Sequence, residues 1–119
     1  MLIDEKLLYQ YGAERMFYKS GDIIFNEGMS PFFYYQIVVG KVKLNHYNEE
    51  GKESIQNIIL PGQSIGECLL FLDNFYPMNA EVLEETVLLK LSKTKFLELL
   101  NFYPYLYKDL SLFMSGELY

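Results

Sequence analysis

Hydrophobic and polar positions divide the chain into three zones. In the first dozen residues, Leu2, Ile3, Leu7 and Leu8 fall on one face at helical spacing, and Gly12 supplies a stop. Beyond Gly12 the pattern becomes β-like for about eighty residues, with turn glycines at Gly21, Gly28, Gly40, Gly51 and Gly62. Between them lie extended runs at Asp22–Phe25, Phe32–Val39, Lys41–Tyr47 and Glu53–Leu60. Regular turn signals between short strands predict a sandwich or barrel. In the run from Lys41, Val42 and Leu44 alternate with Lys41, Lys43 and Asn45, which predicts a strand with one wet face. Asn48-Glu49-Glu50-Gly51 reads as a hairpin tip.

Two further strands are expected at Asn79–Leu83 and Thr86–Leu91, split by the acidic turn Glu84-Glu85. The period then changes again. Ser92 is a good N-cap, with Leu91 and Phe96 placed as a hydrophobic staple around it, and the helix should run to about Asn101. Pro104 suits the first turn of another helix, on which Leu106, Leu110, Phe113 and Met114 form an apolar stripe. The expected fold is mainly β: a β-roll of the jelly-roll kind, flanked by a short N-terminal helix and by C-terminal helices.

Composition narrows the function classes. The 119 residues are half apolar, rich in Tyr and Phe, and carry a formal charge of −6. One domain with a real core is expected, and the negative balance makes it a poor partner for nucleic acid by itself. The sole cysteine, Cys68, excludes an internal disulfide and an all-cysteine metal site within one chain. The lone histidine, His46, excludes a conventional cupin metal centre, and we expect no metal. No nucleophile–base pair is visible, so no catalytic residue and no enzyme activity are expected. Charges interrupt the apolar N-terminus, and no run approaches membrane-spanning length. A cytoplasmic protein with no membrane contact is the default expectation.

The stretch Pro61–Ala80, PGQSIGECLLFLDNFYPMNA, carries the candidate chemistry. Ile65-Gly66-Glu67 precedes a short apolar turn of Leu69, Leu70, Phe71 and Leu72; a loop follows, and Asn79-Ala80 opens the next extended run. This resembles the phosphate-binding cassette of cyclic-nucleotide-binding domains, as in catabolite-activator and Fnr-like bacterial regulators. GDIIFNEG at Gly21–Gly28, YYQIVVGKVKL at Tyr34–Leu44, NEEGKE at Asn48–Glu53 and FLELLNFYPYL at Phe96–Leu106 extend the resemblance over nearly the whole chain. The resemblance implies an effector-sensing domain spanning residues 1–119, with a ligand-binding cassette formed by Gly66, Glu67, Cys68, Leu69, Met78, Asn79 and Ala80. In that family the cassette Glu binds the ribose 2′-hydroxyl, which places the role on Glu67. Backbone N–H groups at the start of the short helix, here at Cys68 and Leu69, face the cyclic phosphate.

The family's arginine, which pairs with the phosphate, has Met78 in its place. A slipped alignment does not restore the cation: no Lys or Arg lies between Lys52 and Lys90, while Glu53, Glu67, Asp73, Glu81, Glu84 and Glu85 do. Tight cAMP or cGMP binding is therefore not expected, and Met78 reads as a pocket-wall or core residue. The local alternative for Glu67 is a carboxylate satisfying N–H groups at its own helix start. For Cys68 the alternatives are a redox or effector role and an inert thiol. The resemblance further implies a homodimer, with Leu110, Phe113 and Met114 at its interface, and DNA contact only through a C-terminal domain absent from this chain. The rival reading is a stand-alone interaction domain whose pocket is filled by Tyr76 and Met78.

Overall fold

The computed structural model describes residues 3–72 and 74–106. A short helix α1 (Glu5–Gln10) is followed by strands β1 (Glu14–Tyr18), β2 (Ile23–Phe25), β3 (Phe33–Val39), β4 (Val42–Tyr47) and β5 (Glu53–Ile59). A single 3₁₀ turn, Glu67–Phe71, leads to β6 (Asn79–Val82), β7 (Thr86–Ser92) and helix α2 (Lys93–Phe102). All strand pairings are antiparallel, and they build two sheets, ordered β1-β7-β3 and β2-β6-β4-β5. The expected mainly β roll with flanking helices is the observed fold.

The local signals act as the pattern predicts. Asp4 caps α1 by accepting from the Lys6 N–H at 2.8 Å, and Ser92 caps α2 by accepting from the Lys95 N–H at 3.3 Å. Leu91 and Phe96 bracket that cap and are buried in one cluster. Gly51 closes the β4–β5 hairpin at φ +82°. Gly40 is required by both conformation and space: its φ is +103°, and a Cβ would lie 2.6 Å from Thr86 Cα.

Two expectations need correction. Strand β1 was absent from the predicted runs, because Glu14–Tyr18 alternates weakly and only Met16 and Tyr18 are half-buried. The outer face of β4 is also less wet than alternation implies. Asn45 is fully buried, its Nδ2 donating to Glu53 Oε2 at 2.5 Å, and Lys43 lies between Glu53 (2.6 Å) and Glu81 (3.6 Å).

Alternation along β3 and β7 creates two apolar clusters on opposite faces of the β1-β7-β3 sheet. Tyr35, Ile37 and Leu88 face the second sheet and join Phe25, Val42, Leu44, Ile65 and Tyr76. Tyr34, Leu89 and Leu91 face the helices and join Ile3, Leu8, Phe96, Leu99, Leu100 and Leu106. Leu106 thus packs on its own roll. The interface positions Leu110, Phe113 and Met114 lie outside the described residues. Among the described residues, no helix is long and apolar enough to cross a membrane.

Candidate functional site

The approach to the cassette is bolted to β3. Gly62 N–H donates to Ile37 O (2.8 Å), Ile37 N–H to Gln63 O (3.0 Å) and Ile65 N–H to Tyr35 O (3.0 Å). Gly66 then turns the chain at φ +62°, and a Cβ there would press within 3.3 Å of the Tyr76 ring. Glycine at this point therefore lets Tyr76 close over the turn. Tyr76 is itself fixed, stacked on Phe25 with centroids 3.6 Å apart and hydrogen-bonded through its backbone to Gly28 and Met29.

After Gly66 the chain makes the 3₁₀ turn, with Leu69 N–H donating to Gly66 O at 3.1 Å. Beside the turn lies a cavity of about 480 Å³. Its apolar walls are Leu44, Ile59, Leu69, Leu72, Pro77 and Met78; its polar lining is Gln56, Asn57, Gln63, Ser64 and Glu67, with Gly66 and Cys68 completing it. This size is ordinary for a small-molecule site. Glu67 is only 3% exposed, and its Oε1 has no hydrogen-bond partner among the described residues. A buried polar atom left unpaired costs free energy and invites explanation. The local alternative for Glu67, satisfaction by neighbouring N–H groups, leaves this oxygen unaccounted for.

The Glu67 carboxyl also reaches electrostatically behind the sheet. Burial pushes the Tyr34 phenol well above its usual range; the charge of Glu67 adds to this, and the Ser64 hydroxyl opposes it. Tyr34 donates its hydroxyl to Gln36 Oε1 at 2.6 Å, and Gln36 in turn clamps Ile3 through that residue's N–H (2.9 Å) and C=O (2.8 Å). The far end of the 3₁₀ turn packs on α2: Phe71 meets Phe96 edge to face at 6.0 Å, and Tyr34 lies 4.5 Å from the same ring.

The structure brings Gly66, Glu67, Cys68, Leu69 and Met78 to one cavity. Asn79 and Ala80 are not among its lining residues. Asn79 Oδ1 accepts from the Glu27 N–H at 2.7 Å, and Ala80 is buried in β6 opposite Leu44. Tyr76 belongs to the core rather than the cavity wall, while Met78 borders both. Among the described residues, no Lys, Arg or His lines the cavity, and there is no group of three metal-ligating side chains. His46 instead meets Glu27, with Nδ1 2.5 Å from its carboxylate oxygen.

The residues missed by sequence reasoning come mainly from β4 and β5: Leu44, Gln56, Asn57 and Ile59, together with Gln63 and Ser64. A signal existed in the polar pair Gln56-Asn57, which interrupts an otherwise apolar strand end. Nothing local connects that pair with Glu67.

Residues 15–103 match the family model of the cyclic nucleotide-binding domain. Among solved structures, the chain is similar to the catabolite activator protein of Thermus thermophilus, at 27% identity and a TM-score of 0.85. That alignment covers 96% of this chain and 53% of the Thermus protein, so the chain spans about half of that relative's length. A cyclic nucleotide-binding-like protein from Brucella abortus is 31% identical, with 81% of each chain covered and a TM-score of 0.69. The N-terminal domain of a transcriptional regulator from Streptomyces coelicolor is 28% identical, covering 92% of this chain and 77% of that one, with a TM-score of 0.73. No curated protein matches the chain.

Proposed function

Since the chain belongs to the cyclic nucleotide-binding domain family and has the fold of Crp/Fnr-type sensor domains, we propose that it is the effector-sensing domain of a bacterial transcription regulator, with a pocket diverged away from cyclic nucleotides. The observation that carries this reading is the cavity beside Glu67. A cyclic phosphate placed there meets a buried carboxyl and, among the described residues, no cation. Loss of one partner from a buried charge pair costs about 2–5 kcal/mol, and each ~1.4 kcal/mol is tenfold in affinity. Cyclic AMP or GMP would therefore bind no tighter than about millimolar where a complete site holds them at micromolar levels.

The sensing mechanism follows from the packing. An effector that prefers one position of the Glu67–Phe71 turn also selects the position of Phe71 against Phe96 on α2. Through α2 the signal passes to the residues that follow. Action as a homodimer, a cytoplasmic setting, and DNA contact through a further domain belong to this proposal. The regulatory character of the similar proteins also supports a non-enzymatic role.

Thermal-shift titration with cAMP, cGMP and fractionated bacterial metabolites tests the reading. We expect no saturable cyclic-nucleotide shift below millimolar and a saturable shift from a small-molecule fraction. That shift should disappear in Asn57→Trp, which blocks the cavity from the exposed edge strand. The active fraction should also change amide exchange across Lys93–Phe102. Tight cAMP binding would refute the divergence. A bound fraction with unchanged exchange in α2 would refute the sensing mechanism, and no active fraction would favour the stand-alone interaction domain.

A further inference from the structure

Resting on that reading of the cavity as an effector site, we infer the class of molecule that it takes: an uncharged or cationic compound with a ring-sized apolar body and a hydroxyl, amide or ammonium donor directed to Glu67. Three observations converge on this class.

The first is the unmet acceptor. Glu67 is buried at 3% exposure, lines the cavity, and has an Oε1 without a partner among the described residues. An ionised carboxyl only accepts hydrogen bonds, so its complement is a donor. A hydroxyl meets that need neutrally, and an ammonium meets it with charge assistance.

The second is that, among the described residues, no cation balances an anionic ligand: no Lys, Arg or His of theirs lines the cavity. Lys43, beside the lining residue Leu44 on β4, projects to the opposite strand face, where Glu53 and Glu81 hold it at 2.6 and 3.6 Å. A carboxylate or phosphate ligand would add a second negative group to a site that already contains one.

The third is the wall. Leu44, Ile59, Leu69, Leu72 and Met78 offer a broad apolar surface within about 480 Å³. That surface and volume suit a one- or two-ring body. The side-chain amides of Gln56, Asn57 and Gln63 complete the lining with neutral polarity.

A charge series on one ring system tests the inference without knowledge of the natural effector. Tryptophol, tryptamine and indole-3-acetate share an indole body and carry a neutral, a cationic and an anionic head; cAMP serves as a fourth probe. Binding is read by melting temperature and by protection of Cys68, the chain's sole and partly exposed cysteine, which lines the cavity, against a thiol reagent. We expect tryptophol and tryptamine to protect Cys68 and raise the melting temperature, and indole-3-acetate and cAMP to do neither. Glu67→Leu should weaken the two binders about tenfold, the worth of one hydrogen bond to a charged group. Glu67→Gln keeps the shape of the site and serves if the leucine variant does not fold; it should weaken tryptamine more than tryptophol.

Indole-3-acetate binding as well as tryptophol would overturn the charge selection and leave the sensing role standing. Unchanged affinities in both Glu67 variants would overturn the assignment of the donor to Glu67. Failure of tryptophol and tryptamine up to their solubility limits would overturn the ligand class, whereas the sensing role falls only if no metabolite fraction shifts the melting temperature.

Discussion

The two apolar clusters divided by the β1-β7-β3 sheet share their central strands but are finished differently. On the helix side, Tyr34, Leu89, Leu91, Phe96, Leu99 and Leu100 close around one aromatic ring. The buried polar group there, Gln36, has both ends of its amide satisfied by Ile3 and Tyr34. On the inter-sheet side, the cluster of Phe25, Tyr35, Ile65 and Tyr76 is dense at its centre but gives way to the cavity at Met78 and Leu69. There Glu67 keeps an oxygen without a partner among the described residues. The contrast separates two tasks. The closed side holds the helices on the roll. The open side leaves a cavity beside Glu67, and the proposed effector site rests on that difference in finish.

Truncation on each side gives the largest test. Phe96→Ala should lower unfolding stability by about 3–5 kcal/mol in urea denaturation, because the ring is fully buried within its cluster. Met78→Ala should cost only about 2 kcal/mol, the low end for its type, because its side chain already borders empty volume. Equal costs would break the contrast.

Alkaline pH tests the closed side next. The phenol of Tyr34 is raised far above its ordinary value of 10.0, first by burial and then by Glu67. A raised folded value means that the native state holds the proton more tightly than the unfolded chain. The associated stability is therefore complete below about pH 10 and is lost as the pH climbs beyond it. The loss from Tyr34 should approach about 1.4 kcal/mol per pH unit, and Tyr34→Phe should remove that part of the slope. On the open side, Tyr35 is pushed up to about 12 by burial, and Tyr76 also rises. Both are buried and hold their protons across this range, so each should add a slope comparable to that of Tyr34. Denaturation midpoints from pH 9 to 11 check this, and a slope unchanged in Tyr34→Phe would contradict it.

Glu67→Leu without ligand should have the smallest effect, with the sign opposite to most core substitutions. Replacing a buried carboxyl that has one unpartnered oxygen by an apolar group of similar bulk should leave stability unchanged or raise it by about 1 kcal/mol. A loss above about 2 kcal/mol would mean that Glu67 holds the fold together and would remove the contrast between the clusters.

Much of this architecture is written locally. The cap at Ser92 and its staple of Leu91 and Phe96 lie within one turn of chain, and the hairpin at Asn48–Gly51 within four residues. The alternation of Val42 and Leu44 placed β4's inner face correctly. β1 is not legible in the sequence, because its pattern is shallow and its pairing with β7 spans more than sixty residues. The cassette turn was legible through Gly66-Glu67 and its apolar continuation, although it winds as a 3₁₀ turn. The rest of the cavity wall was not legible, since Leu44, Gln56, Asn57 and Ile59 meet the cassette only after β4 and β5 have paired.

By itself, then, the sequence determined the strand periods, the turn and cap positions, and the absence of any cation between Lys52 and Lys90. These depend on residue type and short spacing, which constrain backbone torsion and charge directly. Only the tertiary structure decided that Asn45 is buried, that Tyr76 packs in the core while Met78 borders the cavity, and that Glu67 lines that cavity with an oxygen unpartnered among the described residues. A cavity is a property of atoms that fail to meet, and whether they meet is set by packing among residues distant in the chain.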